Sequence, residues 1–408
     1  MRRRRFLQSV PIALGAATLA PLKTLSGAVP DLKITRIRYY HIGPGVGRVF
    51  NQSNHVVTVE TDAGITGIGE GGHKDSIEQL GGLLVGQNPM RIEHLWQMMY
   101  RSFFYPPGRE KIHALGAIDL ALWDIAGKAL DVPVYQLLGG LTRDFVDCYA
   151  TGFPNSGTLK ETARACIDFG YRAFRFHGAD PDDPPVFHHR KQVDKTYRQC
   201  QEVREGVGDD GDWAIDFHTR YDFADAVRLC GLIEPLRPLF VEDLVRSENP
   251  EVYRTLRPLV KVPIAVGEHY GDRWDTNVLI ENQLLDYTRV TLPNSGGITE
   301  YRKLAALCET HYVGLVPHFT GPVAEAALVH CIASSSGPAI MEMLGKGDPR
   351  APHLPEVYDF REGKLYPRPQ PGLGVEFDPG KAEQVLELTE RARGMRLYQR
   401  PDGSITNW

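Results

Sequence analysis

Three short apolar runs decide the fold, and each ends in a carboxylate: Trp213-Ala214-Ile215-Asp216, Leu239-Phe240-Val241-Glu242 and Ile264-Ala265-Val266-Gly267-Glu268. The acids Asp216, Glu242 and Glu268 follow one another at equal intervals of 26 residues. Short apolar runs of this kind are typical of buried parallel strands, and the interval leaves room for one helix between strands. The repeat therefore predicts consecutive βα units with one acid at the carboxyl end of each strand.

Similar β-rich runs recur on both sides of these three and alternate with amphipathic helical stretches. Eight strands are predicted in all, at residues 146–150, 173–176, 213–217, 239–242, 263–267, 287–292, 313–317 and 339–341. Strands that alternate with helices require a parallel sheet, and eight units fit a closed barrel better than an open doubly wound sheet. The absence of a GxGxxG motif after the first strand disfavours a dinucleotide-binding fold. We predict an α/β protein with a (β/α)8 TIM-type barrel over residues 142–360.

A smaller α+β unit is predicted before the barrel, over residues 29–141, and we call it the capping domain. Residues 32–60 alternate polar with β-branched and aromatic side chains, which indicates antiparallel strands. Helical spacing of apolar residues follows at 77–84, 91–100 and 114–130. The C-terminal segment, 361–408, does not continue the βα rhythm. It is predicted to form a helix near residues 382–393 and to pack back on the capping domain.

The first 28 residues have the order of a cleaved export signal. Four arginines, residues 2–5, precede an apolar stretch at 10–22 and the small-residue triplet at 26–28. The stretch is too short for an ordinary membrane anchor, and consecutive arginines followed by Phe6-Leu7 are similar to a twin-arginine signal. We expect an exported, periplasmic protein without a stable membrane anchor. The alternative is a solvated basic tail on a cytoplasmic protein.

Composition excludes several other classes of protein. The chain has 408 residues, 42% of them hydrophobic and 24% charged, which is ordinary for a globular protein and excludes disorder and fibrous repeats. A net charge of −5 provides no basic field for a nucleic-acid partner. The six cysteines lie far apart with no CxxC pair, so neither a zinc cluster nor a disulfide framework is indicated.

The three acids are candidate metal ligands. The carboxyl ends of consecutive barrel strands meet at one mouth, where barrel active sites lie, so Asp216, Glu242 and Glu268 are expected to converge. Hard oxygen ligands without a cysteine favour Mg²⁺ over zinc. Each acid taken alone could instead be a solvated helix cap. Three in register after apolar strands favour the metal site.

Groups suited to proton transfer and substrate binding surround these acids. His218 lies two residues after Asp216, so strand alternation is expected to turn both side chains to the same side. His318 ends the seventh strand, and two histidines on opposite sides of a metal-bound carboxylate could act as base and acid. Arg175 ends the second strand and is a candidate catalytic residue that could bind an anionic substrate or perturb a neighbour's pKa. Glu342 ends the eighth strand and could bind substrate hydroxyls. Both could equally form ordinary salt bridges.

Taken together and in order, these segments resemble the enolase superfamily, in the branch of mandelate racemase and the acid-sugar dehydratases. The resemblance covers nearly all of the chain after the signal. The motifs that carry it are Ala121-Leu122-Trp123-Asp124-Ile125-Ala126-Gly127-Lys128, Leu137-Leu138-Gly139-Gly140, Asp216-Phe217-His218, Val241-Glu242-Asp243, Gly267-Glu268, Arg273-Trp274-Asp275, Gly296-Gly297-Ile298-Thr299 and Pro371-Gly372-Leu373-Gly374.

The resemblance implies a Mg²⁺-dependent carbon–oxygen lyase that dehydrates a small-molecule sugar acid. Asp216, Glu242 and Glu268 would hold the metal against the substrate carboxylate, and a base would remove the α-proton to give an enediolate. His218 would then be the acid that expels the β-hydroxyl, leaving a 2-keto-3-deoxy acid, and His318 is the favoured base. A homo-oligomer is expected by the same analogy.

Two departures from the family pattern bear on the base. Many relatives carry Lys-x-Lys at the end of the second strand, where this chain has Arg175-Phe176-His177. Thr291 stands where a His–Asp dyad would place its aspartate, so His318 lacks that partner. Arg175 with Thr291 is similar to mannonate dehydratases, whereas residues 316–322 are more similar to the galactonate enzymes. The base and the sugar acid therefore stay open.

Two other functions fit the same sequence. A racemase or epimerase would exchange the α-proton between two faces without losing water. A non-catalytic, exported sugar-acid-binding protein would keep the metal but not the turnover, and the missing lysines and aspartate leave that alternative open.

Overall fold

The computed structural model describes residues 30–43, 55–154, 157–178, 186–347, 351–394 and 396–407. The export signal predicted at residues 1–28 lies outside the described residues and stays a prediction. Within the described part, no helix combines the length and apolar character that crossing a membrane requires.

The capping domain begins with an antiparallel sheet and continues with helices, as predicted. Its first elements are β1 (Ile34–His41), β2 (Val56–Thr61), β3 (Thr66–Glu70), α1 (Lys74–Gly81), α2 (Ile92–Arg101), α3 (Arg109–Leu130) and α4 (Val134–Leu137). Strand β1 buries Ile34, Ile37 and Tyr39 on the helices and keeps Arg36 and Arg38 partly exposed. Residues 112–127 of α3 are all buried, so this helix is the centre of the capping domain's core.

All eight predicted barrel strands are present and run parallel. They are β4 (Val146–Thr151), β5 (Ala173–His177), β6 (Asp212–Asp216), β7 (Phe240–Glu242), β8 (Ile264–Val266), β9 (Tyr287–Thr288), β10 (Gly314–Leu315) and β11 (Met341–Leu344). Strands β4 to β10 pair in chain order, β11 pairs with β4, and Ala339 bridges to Leu315, so the sheet closes on itself. This ring confirms the predicted (β/α)8 barrel.

Helices connect successive barrel strands and cover the outside of the barrel. They are α5 (Leu159–Asp168), α6 (His189–Val207), α7 (Phe223–Ile233), α8 (Val252–Leu256), α9 (Arg273–Glu281), α10 (Leu292–Ser295), α11 (Ile298–Thr310) and α12 (Pro322–Ala333). Helix α10 is a single short turn that immediately precedes α11. The helices after the sixth and seventh barrel strands, α11 and α12, face the capping domain.

The C-terminal segment forms strands, and the helix predicted near residues 382–393 was wrong. Strands β12 (Asp359–Arg361) and β13 (Lys364–Tyr366) form a hairpin on β4, and β14 (Glu383–Leu388) pairs with β1. The local sequence is rich in helix formers, but the open edge of β1 offers it a ladder of hydrogen bonds. Glu387 of β14 also accepts a hydrogen bond from Arg38 on β1 and forms an ion pair with Arg36. Tertiary pairing therefore overrides local helix propensity.

Two carboxylates of the capping domain hold the N-terminal ends of barrel helices. Asp119 of α3 accepts hydrogen bonds from the backbone N–H (3.0 Å) and the hydroxyl (2.6 Å) of Thr299 in the first turn of α11. Gly297 lies against it, where a Cβ would come within 2.4 Å of the Asp119 carboxylate. Glu70 of β3 makes the equivalent contact with the first turn of α12. These contacts fix the capping domain above the ends of the sixth and seventh barrel strands.

Because Asp119 is buried, the free energy of unfolding of this protein should depend on pH in a specific way. Burial raises its pKa from 3.8 to about 7, so the folded chain keeps this proton over a range in which the unfolded chain has lost it. The stabilisation is present below the unfolded pKa and is lost as pH rises through the folded pKa. Between pH 5 and pH 8, the free energy of unfolding of the wild type should fall by about 2–3 kcal/mol relative to Asp119→Asn.

Urea denaturation of both proteins at pH 5, 6, 7 and 8 measures this difference. Asparagine can keep both contacts with Thr299 and does not titrate, so other groups cancel in the comparison. If the difference in free energy of unfolding between the two proteins stays constant from pH 5 to pH 8, Asp119 is ionised in the folded chain throughout that range.

Candidate active site

The three predicted metal ligands lie at the same end of the barrel. Asp216 is the last residue of β6, Glu242 is the last residue of β7, and the two are register partners. Glu268 follows β8 by two residues, and all three side chains are buried. The apolar residues before each acid pack in the barrel core, so each strand delivers its carboxylate to the mouth.

The structure brings two of these three acids into direct proximity and places the third beside them. Carboxylate oxygens of Glu242, Glu268 and the neighbouring Asp243 lie within 4.8 Å of one another. Asp216 is joined to Glu242 through Arg175, whose Nη2 lies 2.7 Å from Asp216 Oδ2 and 2.8 Å from Glu242 Oε2. Arg175 is thus buried among the carboxylates, and its predicted role toward substrate stays a prediction.

Arg289 is the central cation of the site, and sequence reasoning missed it. It follows β9 directly and is fully buried. Its Nε donates to Glu242 (2.7 Å), and its Nη2 donates to Glu342 (2.7 Å) and Glu268 (3.3 Å). Its Nη1 donates to the backbone carbonyl of Val316. One guanidinium therefore ties the ends of the fourth, fifth, seventh and eighth strands together.

The electrostatics of the acids fit a hard divalent cation. Burial, with repulsion from Asp216 and Glu268, raises the pKa of Glu242 well above its ordinary range, although Arg175 and Arg289 oppose the shift. Burial and Glu268 raise the pKa of Asp243 to about 8, and its buried Oδ2 makes no hydrogen bond among the described residues. Crowded carboxylate oxygens with an unsatisfied acceptor form a suitable donor set for a metal such as Mg²⁺.

Three histidines surround Glu268. The Nε2 atoms of His218 and His318 lie 3.9 and 3.5 Å from its two carboxylate oxygens, and Nε2 of His269 lies 3.3 Å away. Burial opposes ionisation of Glu268, but His318, His269 and Arg289 outweigh it, and its pKa lies well below the ordinary value. His269 was not among the predicted site residues. Its position directly after Glu268 is the only signal that could have marked it.

His218 reaches the site by a route that differs from the predicted one. Strand β6 ends at Asp216, and His218 has φ of 50°, in the left-handed region, so simple strand alternation does not orient it. Its backbone N–H donates to Asp216 Oδ1 (2.5 Å), and its Nδ1 lies 3.0 Å from Nη2 of Arg220. Its other ring nitrogen, Nε2, therefore faces Glu268, and the side chain is half exposed to the mouth.

His318 is held in a more enclosed position. Its backbone N–H donates to the carbonyl of Arg289 (3.1 Å), and its side chain is 18% exposed. Burial lowers the pKa of His318, and Glu268 and Glu342 only partly offset that shift. A histidine in this state is neutral near pH 7 and can accept a proton.

Glu342 faces His318, and Thr291 occupies the position at which a His–Asp dyad would place its aspartate. Glu342 is buried and accepts hydrogen bonds from the Thr151 hydroxyl (2.6 Å), the Phe319 N–H (3.0 Å) and Arg289. Its predicted contact with substrate hydroxyls stays a prediction. Thr291 is buried at the start of α10, and its hydroxyl makes no hydrogen bond among the described residues. Among the described residues, Glu268 and Glu342 are carboxylates that raise the pKa of His318 against the effect of burial.

The fold and site define an acid–base enzyme built on a closed (β/α)8 barrel, with carboxylates, arginines and histidines gathered at the mouth. Residues 37–139 match the mandelate racemase / muconate lactonizing enzyme N-terminal domain, and residues 158–381 match the enolase C-terminal domain-like family. The chain belongs to the enolase superfamily, in its mandelate racemase branch, as the sequence predicts. It is an enzyme of the hydro-lyase class.

Individual relatives agree with this assignment, and solved structures share the fold. D-galactonate dehydratases of Pectobacterium atrosepticum and Xanthomonas oryzae are 34% and 35% identical over 395 and 393 residues, covering 92% of this chain and 100% of theirs. A structure from Agrobacterium radiobacter described as an enolase, with sodium and L-malate bound, is 30% identical with a TM-score of 0.75 over 91% of this chain and 99% of its own. An enolase superfamily member from Salmonella Typhimurium has a TM-score of 0.79 at 24% identity, over 88% of this chain and 100% of its own.

Proposed function

We propose that this acid-sugar dehydratase is Mg²⁺-dependent, removing the α-proton of a sugar carboxylate and eliminating the β-hydroxyl to give a 2-keto-3-deoxy sugar acid. The observation that carries the proposal is that His218 and His318 approach opposite oxygens of one buried carboxylate, Glu268, at 3.9 and 3.5 Å. α,β-Elimination needs one group to remove the α-proton and one to protonate the leaving hydroxyl, and two histidines at the barrel mouth can supply both.

The metal is assigned to Asp216, Glu242 and Glu268, with Asp243 as a neighbouring carboxylate. Their carboxylate oxygens are hard ligands, and all three acids are buried. Among the described residues, the positive groups beside them are the guanidinium groups of Arg175 and Arg289 and nearby imidazoles. Mg²⁺, when bound, would stabilise the negative charge that develops on the substrate carboxylate as the α-proton leaves.

His318 takes the α-proton and His218 assists departure of the hydroxyl. His318 is buried and neutral, so it can accept the proton as the α-carbon–hydrogen bond breaks and the enediolate forms. The β-carbon–oxygen bond then breaks, and His218 donates its proton so that the hydroxyl leaves as water. The resulting enol tautomerises to the 2-keto acid. Arg289 holds the acids in place and fixes the backbone before His318 through the Val316 carbonyl.

The proposal is tested by incubating the purified chain with Mg²⁺ and a panel of aldonic, uronic and aldaric acids, and measuring 2-keto acid as the semicarbazone. We expect one acid to be converted, with loss of turnover in EDTA and recovery when excess Mg²⁺ is added. Calorimetric titration of Mg²⁺ into the EDTA-treated chain should show binding that Glu242→Gln weakens at least about tenfold. Turnover that persists in EDTA would contradict the metal assignment. Recovered substrate inverted at the α-carbon, without keto acid, would identify a racemase.

A further inference from the structure

Glu70 is a buried acid of the capping domain that has no part in the chemistry described above. It is the last residue of β3, is 1% exposed, and its Oε2 accepts hydrogen bonds from the N–H groups of Val323 (2.9 Å) and Ala324 (3.0 Å). These are amides in the first turn of α12, which have no acceptor within the helix. Glu70 of the capping domain therefore caps the N-terminal end of α12, a helix of the barrel, where no neighbouring side chain does so.

The four residues that precede α12, 318–321, include His318. The barrel holds the start of this loop, since the N–H of His318 donates to the Arg289 carbonyl and the N–H of Phe319 donates to Glu342. The capping domain holds its end, since Gly321 packs against Glu70 so closely that a Cβ there would lie 2.5 Å from the Glu70 carboxyl carbon. His318 is therefore placed by contacts from both domains.

We propose that Glu70 is a positioning residue for His318, and that the capping domain sets the orientation of this histidine through residues 318–321. The catalytic part of this inference rests on the proposed function, in which His318 takes the α-proton. The positional part does not, because it concerns only where the imidazole lies.

Asp119 provides a matched control on the same interface. It caps α11 from the capping domain as Glu70 caps α12, and Gly297 packs against it as Gly321 packs against Glu70. The segment before α11 carries Thr291 and no histidine. Removing either cap should destabilise the contact between the domains, but only removal of Glu70 should displace His318.

The experiment compares Glu70→Ala, Glu70→Gln and Asp119→Ala in the full chain. The imidazole signal of His318 is followed in ¹H–¹³C spectra at fixed pH, and it is assigned from its loss in His318→Gln. We expect Glu70→Ala to shift this signal and to lower kcat at least tenfold with KM within about twofold. Asp119→Ala should lower Tm while the signal and kcat stay near wild type. Glu70→Gln should keep the wild-type His318 signal and kcat. Burial raises the pKa of Glu70 to about 8, so the native side chain is neutral at pH 7, and a neutral amide keeps an oxygen that can accept from the α12 amides.

Gly321→Ala tests the same contact from the loop side if Glu70→Ala fails to fold, because the added methyl displaces the Glu70 carboxyl. An unmoved His318 signal in a folded Glu70→Ala or Gly321→Ala protein would overturn the proposal. Equal losses of kcat in Glu70→Ala and Asp119→Ala would overturn it as well, since they would reflect the interface alone. A shifted signal in a chain that dehydrates no sugar acid would support the positional inference and count against the proposed function.

Discussion

His218→Ala should lower kcat for dehydration by about 10³, within the range that one general acid contributes. Hydroxide is a poor leaving group, and the Nε2 of His218 faces the mouth beside Glu268. His318 is untouched by the substitution, so the variant should still exchange the substrate α-proton with solvent. The measurement is keto acid formation alongside loss of the α-proton signal in D2O, followed by NMR on the same sample.

His189→Ala is the control for this substitution. His189 is exposed to a similar degree, 42% against 50%, but it starts α6 and pairs with Asp225, away from Glu268. It should keep wild-type kcat. If His218→Ala retains dehydration, the acid lies elsewhere, and His269 is the other histidine on the same Glu268 oxygen. If exchange and dehydration disappear together in a folded protein, His218 takes part in removing the α-proton.

The barrel and the acids at its mouth could be predicted because both follow from local pattern. Apolar runs that end in an acid at a constant interval fix strand, helix and register together, so Asp216, Glu242 and Glu268 fall at one end of the sheet. His318 is predictable for the same reason, because it lies just beyond the carboxyl end of the seventh barrel strand. These inferences need only the interval between the apolar runs and the geometry of parallel strands.

What could not be predicted depends on contacts between distant segments. An arginine after a strand carries no local sign that it will be buried among acids, so Arg289 was missed. The role of Glu70 is invisible for the same reason, since its partners lie some 250 residues away. The error at residues 382–393 has this cause too, because the edge of β1 converts a helix-forming sequence into β14. The domain boundaries placed after residues 28, 141 and 360 stay predictions. The β12–β13 hairpin spans the last of them, the predicted end of the barrel.

Arg289→Met should destabilise the chain by about 3–5 kcal/mol, the cost of removing one partner from a buried ion pair. Glu242 and Glu342 would each lose a charged donor at 2.7 Å, and both are excluded from water. Arg175 remains beside them, but its Nη2 is shared between Asp216 and Glu242. Differential scanning calorimetry or urea denaturation in the presence of EDTA measures the loss.

Arg257→Met is the matched control, since Arg257 also pairs bidentately with an acid of the barrel, Asp286, but is about one-third exposed. An exposed pair contributes about 0–1 kcal/mol, so this variant should stay close to wild type. Mg²⁺ should restore part of the stability lost in Arg289→Met, because a cation held by Glu242 and Glu268 would offset the negative charge that the variant leaves without its guanidinium. Arg257→Met keeps the same ligand set as the wild type, so Mg²⁺ should stabilise both equally and leave the difference between them unchanged. Equal stability of the two variants in EDTA would mean that Arg175 alone neutralises the acids, and that Arg289 acts chiefly through the Val316 carbonyl that leads to His318.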